Sequence, residues 1–229
     1  MRILIACEES GIVRRAARAH GHDAWSCDLK PARDGSPYHI QDDVLNHLGD
    51  GWDAMIAHPV CTRLTNAGVR WLTDPPGKLS GEHYDEETCR AYAEWDWLDR
   101  ITFMCEELNK GAAFFSALYN APIPRIVVEN PVMHKYAKER IVNYRPHSFS
   151  YQPWHFATDE DGPDNVKKRI CLWTKGSGFK PLVKTGTVDG STARDEVFKC
   201  PPGPNRAEIR STFFPGIANA MISQWFGTV

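Results

Sequence analysis

The chain has no Cys-x-x-Cys pair, no internal repeat, no low-complexity tract, no marked excess of either charge, and no apolar run near the roughly 20 residues that cross a bilayer. Its seven cysteines (Cys7, Cys27, Cys61, Cys89, Cys105, Cys171, Cys200) are scattered without metal-finger spacing, several of them in apolar runs. That pattern argues against a zinc finger or a disulfide scaffold and predicts a reducing, cytoplasmic compartment. The lack of a spanning run predicts a chain that stays out of the membrane. The apolar stretch Ile3 to Cys7 stops at Glu8-Glu9 without a small-residue cleavage site, so it reads as a first strand and not a leader. A net charge of -2 and a pI near 6.5 argue against a dedicated, strongly basic nucleic-acid binder, although only the field over a binding face matters.

What is present is ample apolar content, 42% of 229 residues, enough for one large domain or one domain with a small appendage. Acidic residues crowd Glu82 to Glu107, and basic ones dominate from Lys135 to Lys184. In the first half, short apolar runs alternate with helical patterns, the signature of a parallel sheet clothed by helices. Ile3 to Cys7 is a strand, Ser10 an N-cap for a helix through Ala19, and Gly21 its stop. Asp23 to Cys27, a short element around Tyr38 to Ile40, Trp52 to Ala57 and Arg125 to Val128 follow as strands, and Asp85 to Leu118 holds one or two helices. Ser148 to Trp154 and Lys168 to Thr174, separated by a turn-rich stretch, read as an antiparallel pair. The expectation is an α/β fold with a doubly wound, mostly parallel seven-stranded sheet. Residues 1–176 form the expected core, 177–208 a loop-rich insert, and 209–229 a closing helix that returns to the core.

Cys61 follows the strand that ends at Ala57, and Glu129-Asn130-Pro131 follows the strand that ends at Val128. A thiol and a carboxylate at the C-terminal edge of neighbouring parallel strands can attack a ring and protonate it, which is pyrimidine chemistry. His58 reads as a local base or a packed neutral imidazole. His134, His147 and His155 lack ligand spacing on a common element, and no metal site is expected.

In these residues the chain resembles the DNA cytosine-5 methyltransferases. The family's Pro-Pro-Cys loop, with its following Gln-x-Phe-Ser-x-Ala-Gly, is similar to Pro59-Val60-Cys61-Thr62-Arg63-Leu64-Thr65-Asn66-Ala67-Gly68. Its Asp-Pro-Arg-Gly looks like Asp74-Pro75-Pro76-Gly77, its Glu-Asn-Val like Glu129-Asn130-Pro131, its Gln-x-Arg-x-Arg like Asn165-x-Lys167-x-Arg169, and the Asn-Ala of its last helix like Asn219-Ala220. The resemblance implies a class I S-adenosylmethionine-dependent fold. It also implies a Cys61 thiolate adding to C6 of cytosine, Glu129 holding N3 in a form that burial keeps at least partly protonated, and Arg169 with Lys167 anchoring the base or a phosphate. Thr65 stands where a family serine orders water.

The implied methyl donor is S-adenosylmethionine, over the first strands. Asp28 would take the ribose hydroxyls, as an acid at the end of a second strand does in Rossmann-like folds, Leu29 would pack on adenine and Asp43 would accept its amine. Val44, Pro59, Asn219 and Ala220 would complete the site. The family's glycine loop, Phe-x-Gly-x-Gly-Gly, is replaced by Cys7-Glu8-Glu9-Ser10-Gly11-Ile12, which places two carboxylates near the methionine end of the donor. Only about thirty residues, Gly176 to Arg206, stand where the family carries a target-recognition domain. The chain therefore reads as a short, phage-like member. It would act on DNA, with a cytosine flipped from a duplex or taken from a single strand, with little sequence selectivity or with a protein partner supplying it. Lys167, Lys168, Lys175, Lys180 and Lys184 would grip phosphates, with Phe179, Arg194 and Phe198 in the insert. A free pyrimidine nucleotide or RNA as substrate, or a non-catalytic binding relic, stand as alternatives.

Overall fold

The computed structural model describes residues 1–81, 83–201, 203 and 206–227; Glu82 of the acidic stretch and the side chain of Phe198 lie outside them. Strands are β1 (Arg2–Ala6), β2 (Asp23–Asp28), β3 (His39–Gln41), β4 (Ala54–Ala57), β5 (Arg125–Asn130), β6 (Phe149–Tyr151) and β7 (Ile170–Lys175). Helices are α1 (Ile12–Ala19), α2 (Asn66–Val69), α3 (Glu86–Glu94), α4 (Trp97–Tyr119), α5 (Lys135–Arg140), α6 (Glu196–Lys199), α7 (Arg206–Ser211) and α8 (Pro215–Met221), the last running into a π-helical turn, Ile222–Phe226. The chain forms two compact units, one of Met1–Pro59, Leu118–Pro131 and Arg145–Val229, the other of Val60–Ala117 and Val132–Tyr144.

The first unit is built on a seven-stranded sheet in the order β3-β2-β1-β4-β5-β7-β6. From β1 the chain winds outward to β3, returns to lay β4 against the other side of β1, and winds on to β5; this reversal makes the sheet doubly wound. All pairs are parallel except β5–β7 and β6–β7. This is the expected fold of the class I methyltransferase type, including the antiparallel end. Ile3 to Ala6 and Ala54 to Ala57 are wholly buried, as central parallel strands covered on both faces require. At roughly 1.5–3 kcal/mol for each large aliphatic side chain taken from water, these strands anchor the unit. Pro131 follows directly on the last residue of β5, a residue without an N–H that cannot extend the ladder.

Helix α1 starts differently from expectation. Ser10 does not cap it. Gly11, at φ 69°, occupies the cap position, and the side chain of Glu8, five and six residues back, accepts from Val13 N (2.6 Å) and Arg14 N (3.2 Å). An ionised carboxylate that answers two free helix N–H groups outcompetes a hydroxyl 3.4 Å from Ile12 N. The stretch after Gly176 has no helix or strand up to the single helical turn of α6. The closing helix begins at Pro215, with proline in its first turn, and buries Ile217, Ala218, Ala220 and Met221.

The second unit carries α2, α3, most of α4 and α5. Tyr84, Tyr92, Trp95 and Phe103 form a cluster with ring centres 5.4 to 5.6 Å apart around the buried Tyr92, whereas Trp97 and Leu98 are exposed. His134 caps α5 by accepting from Tyr136 N, His147 lies on Trp173, and His155 accepts from Gln152 N.

Candidate active site

In an open α/β sheet, ligands bind beyond the carboxyl ends of the strands where the winding reverses, here β1 and β4. Cys7, just past β1, has a left-handed backbone (φ 59°), and both its N–H and that of Glu8 bond to Cys27 O, at 2.8 and 3.3 Å. Burial, reinforced by Asp28, Cys27 and Asp43, pushes the Cys7 thiol far up, and burial with Asp28 pushes Cys27 up to about 12. Both stay protonated and unreactive at neutral pH.

The carboxylates of the degenerate glycine loop are already engaged. Glu8 is buried in the N-terminus of α1. Glu9 takes Arg33 Nη2 at 2.5 Å with Lys30 Nζ at 3.8 Å, and Arg33 N bonds to Glu9 O. Asp28, at the end of β2, accepts from Lys30 N; its carboxyl is raised by burial and by the Glu9 charge. Asp42 N bonds to Asp28 O, which brings Asp43 and the 3-10 turn Val44–His47 beside the β2 end, with Asp43 capping that turn through Leu45 N. Leu29 is exposed, at 73%.

Two consequences follow for a cofactor. The anion site that a helix N-terminus would offer a phosphate is filled by Glu8, so a pyrophosphate-bearing dinucleotide does not fit there. The remaining carboxylates at this edge, Asp28 and Asp43, suit a ligand carrying hydroxyl or amine donors. Asn219 lines, with Ile12, Arg15 and Pro215, a groove of about 370 Å³ between α1 and α8, and Ala220 is buried.

At the ends of β4 and β5 the register sets Ala57 opposite Val128, so His58 and Glu129 come next on adjacent strands. Glu129 is buried, with Oε2 3.6 Å from His58 Nδ1. Burial alone would raise its carboxyl, the direction expected from sequence, but contact with His58 and the charge of Lys168 outweigh burial and hold it below the usual carboxylate range. Asn130, fully buried, donates to Pro59 O at 3.2 Å and so ties the start of the cysteine loop to the end of β5. Glu129 Oε1, His58 Nε2 and Asn130 Oδ1 are buried without a hydrogen-bond partner. Each such atom costs roughly 1–3 kcal/mol, a cost that a polar ligand would remove.

Of the two basic residues expected to act here, Lys167 and Arg169 are both exposed. Lys168, between them, is the cation that acts on Glu129, while its Nζ donates to Arg210 O at 3.0 Å. An alternating run of three basic residues does not reveal which side chain turns inward; only the pairing of β7 decides it. His58 had a sequence signal in its position directly after the wholly apolar β4, and Asn130 in the Glu-Asn pair that ends β5.

Cys61 and Thr65 belong to the second unit. The Cys61 loop closes on itself through Leu64 N to Cys61 O (3.0 Å), and Leu64 is buried against Gly111. Thr65 stands before α2 in extended conformation; its carbonyl accepts from Gly68 N and Val69 N, and it bridges to Met133. Arg63 donates to Tyr84 Oη, which donates to Glu107, and Pro76 O accepts from Tyr92 Oη.

No family model matches the chain, and no curated protein matches it. Among solved structures it is similar, at 10% identity and a TM-score of 0.40, to an E. coli protein encoded within a prophage and provisionally described as a DNA modification methyltransferase. The similarity covers 76% of this chain and 46% of that one, so this chain spans about half its length.

Proposed function

We propose that the protein transfers a methyl group from S-adenosylmethionine to C5 of cytosine in DNA through a covalent Cys61 adduct, with little sequence selectivity or with a partner that supplies it. The observation that carries this reading is a buried glutamate with an unpartnered oxygen, on the strand next to the one that leads into Cys61. The ordered resemblance in sequence supports it, as does the sheet order.

The Cys61 thiolate adds to C6, and the displaced π electrons make C5 a nucleophile. Glu129 engages the N3 edge, and a proton on that line stabilises the adduct as negative charge develops on the ring. S-adenosylmethionine, when bound, supplies the electrophilic methyl group. Asp28 and Asp43 would hold its hydroxyls and amine; the lack of a free anion site at α1 agrees with a ligand that has no phosphate. Water ordered by Thr65 removes the C5 proton, and the C6–S bond then breaks to return the thiol. Lys167 and Arg169 remain exposed for phosphates.

The test is mass spectrometry of the protein incubated with S-adenosylmethionine and a duplex carrying 5-fluorocytosine at many positions, beside Cys61→Ala. A protein–DNA adduct that needs both the cofactor and Cys61 is expected. No adduct with DNA, RNA or nucleotide would refute the reading.

A further inference from the structure

Among the described residues, the side chain that stands beside Oε2 of Glu129 is His58. Three contacts settle where that ring lies. Its own backbone N–H bonds to Ala6 O at 3.0 Å, so β1 fixes the Cα. The ring packs on Phe213 with centres 4.6 Å apart. Its Nδ1 stands 3.6 Å from Oε2. A carboxylate only accepts, so the imidazole nitrogen facing it is the one bearing hydrogen. Oε2 thus lies beside the His58 ring, while Oε1 and His58 Nε2 are buried and unpartnered.

We infer that His58 is a positioning residue for Glu129: from the end of β4 its ring sets the orientation of the carboxylate that meets the base. This rests on the base-binding role proposed above for Glu129. The charged groups acting on Glu129 are His58, from the end of β4, and Lys168, from the segment leading into β7; the residue opposite on β7, Leu172, is apolar. Together they hold the carboxyl ionised against its burial. N3 of a neutral cytosine is also an acceptor, so an ionised carboxylate repels it until one proton from solvent enters the line between them. No other bond is made or broken in that step.

The test has two arms. In the first, protein labelled with ¹³C at its glutamate carboxyl carbons is titrated without DNA or cofactor, the Glu129 signal being assigned by its loss in Glu129→Gln. The Glu129 midpoint is expected to move to higher pH in His58→Phe and in His58→Gln, because both remove charge and Gln retains a donor of similar reach. An unmoved midpoint in both overturns the inference, and His58→Gln keeps the test readable where the phenylalanine variant fails to fold. In the second arm, methyl transfer is followed against pH. His58→Phe should lose roughly tenfold to a hundredfold through misorientation, with its alkaline limb displaced to higher pH, and His58→Gln should recover part of the rate. A profile lowered uniformly, without displacement, means that His58 only packs and overturns the inference. Absence of transfer in the wild type, with the midpoint still displaced, refutes the proposed function and upholds the His58–Glu129 pairing.

Discussion

Arg14 is almost wholly buried, and a guanidinium there must have its donors answered. It donates to Ser26 Oγ at 2.7 Å and pairs with Asp34, which also takes Arg15 at 2.7 Å; Ser26 in turn meets His39, whose other nitrogen meets Lys30 O. The loop after Asp28 is therefore pinned from below by α1. Burial alone would raise the Asp34 carboxyl, but the bonds from Arg14, Arg15 and Ser36 N outweigh it and hold it at about 2, down from 3.8. A depressed carboxyl stabilises the fold fully above its unfolded value, and the contribution fades as pH falls through about 2. Asp34→Asn should therefore flatten the acid limb of a plot of Tm against pH below about pH 4. At neutral pH, where the contribution is fully present, Asp34→Asn should lower Tm, because the buried Arg14 guanidinium loses its carboxylate. An acid limb as steep as that of the wild type would show that the pair contributes nothing. The sequence Val13-Arg14-Arg15-Ala16 gives no hint of which arginine turns inward, because that depends on Ser26 of β2 standing beneath it.

At the scale of elements, the strands were legible because buried parallel strands leave unbroken apolar runs, and the antiparallel pair was legible from its turn-rich connection. The start of α1 was not. A local cap rule looks at the residue next to the helix, whereas Glu8 reaches Val13 across a left-handed glycine. Gly11 is needed there, since a Cβ would lie 2.3 Å from the Arg14 guanidinium. The groups that lower the Glu129 carboxyl in the free chain were not legible for a related reason: burial is readable from an apolar strand, but His58 and Lys168 reach it only through the fold. The cysteine loop was legible as a motif, and the structure adds why Gly68 belongs to it. A Cβ on Gly68 would sit 2.0 Å from Thr62 O and 2.9 Å from Arg63 Cα, backbone that cannot swing aside. Gly68→Ala must displace the residues directly after Cys61. The expected cost is about 1–3 kcal/mol of stability. Its larger effect should be on the adduct, with a rate loss on the order of a hundredfold. Thermal unfolding and adduct formation measured on the same preparation separate the two, and an alanine variant with wild-type adduct formation would show that this loop does not position the nucleophile.

For the whole molecule the question is how a chain with a net charge of -2 and a short insert would hold DNA. Charge count alone overstates its basic side. Of the lysines from 167 to 184, Lys168 and Lys175 spend their ammonium groups on backbone carbonyls, those of Arg210 and Ala121, and Arg194 of the insert is held by Glu160 O, Gly162 O and Glu196. Lys167, Arg169, Lys180 and Lys184 remain exposed. Each phosphate neutralised on a duplex contributes a slope of about -0.9 to log K against log salt, so four such contacts give a slope of about -3 to -4. Binding of a fluorescent duplex, followed by anisotropy across a salt series, should give that shallow slope, weak affinity and little dependence on sequence. Replacing Lys167 and Arg169 by glutamine together should lower its magnitude by about 2. A much steeper slope in the wild type would mean that a basic surface other than this stretch carries the DNA. A slope near zero, with methyl transfer to free dCMP intact, would instead move the substrate from the polymer to the nucleotide.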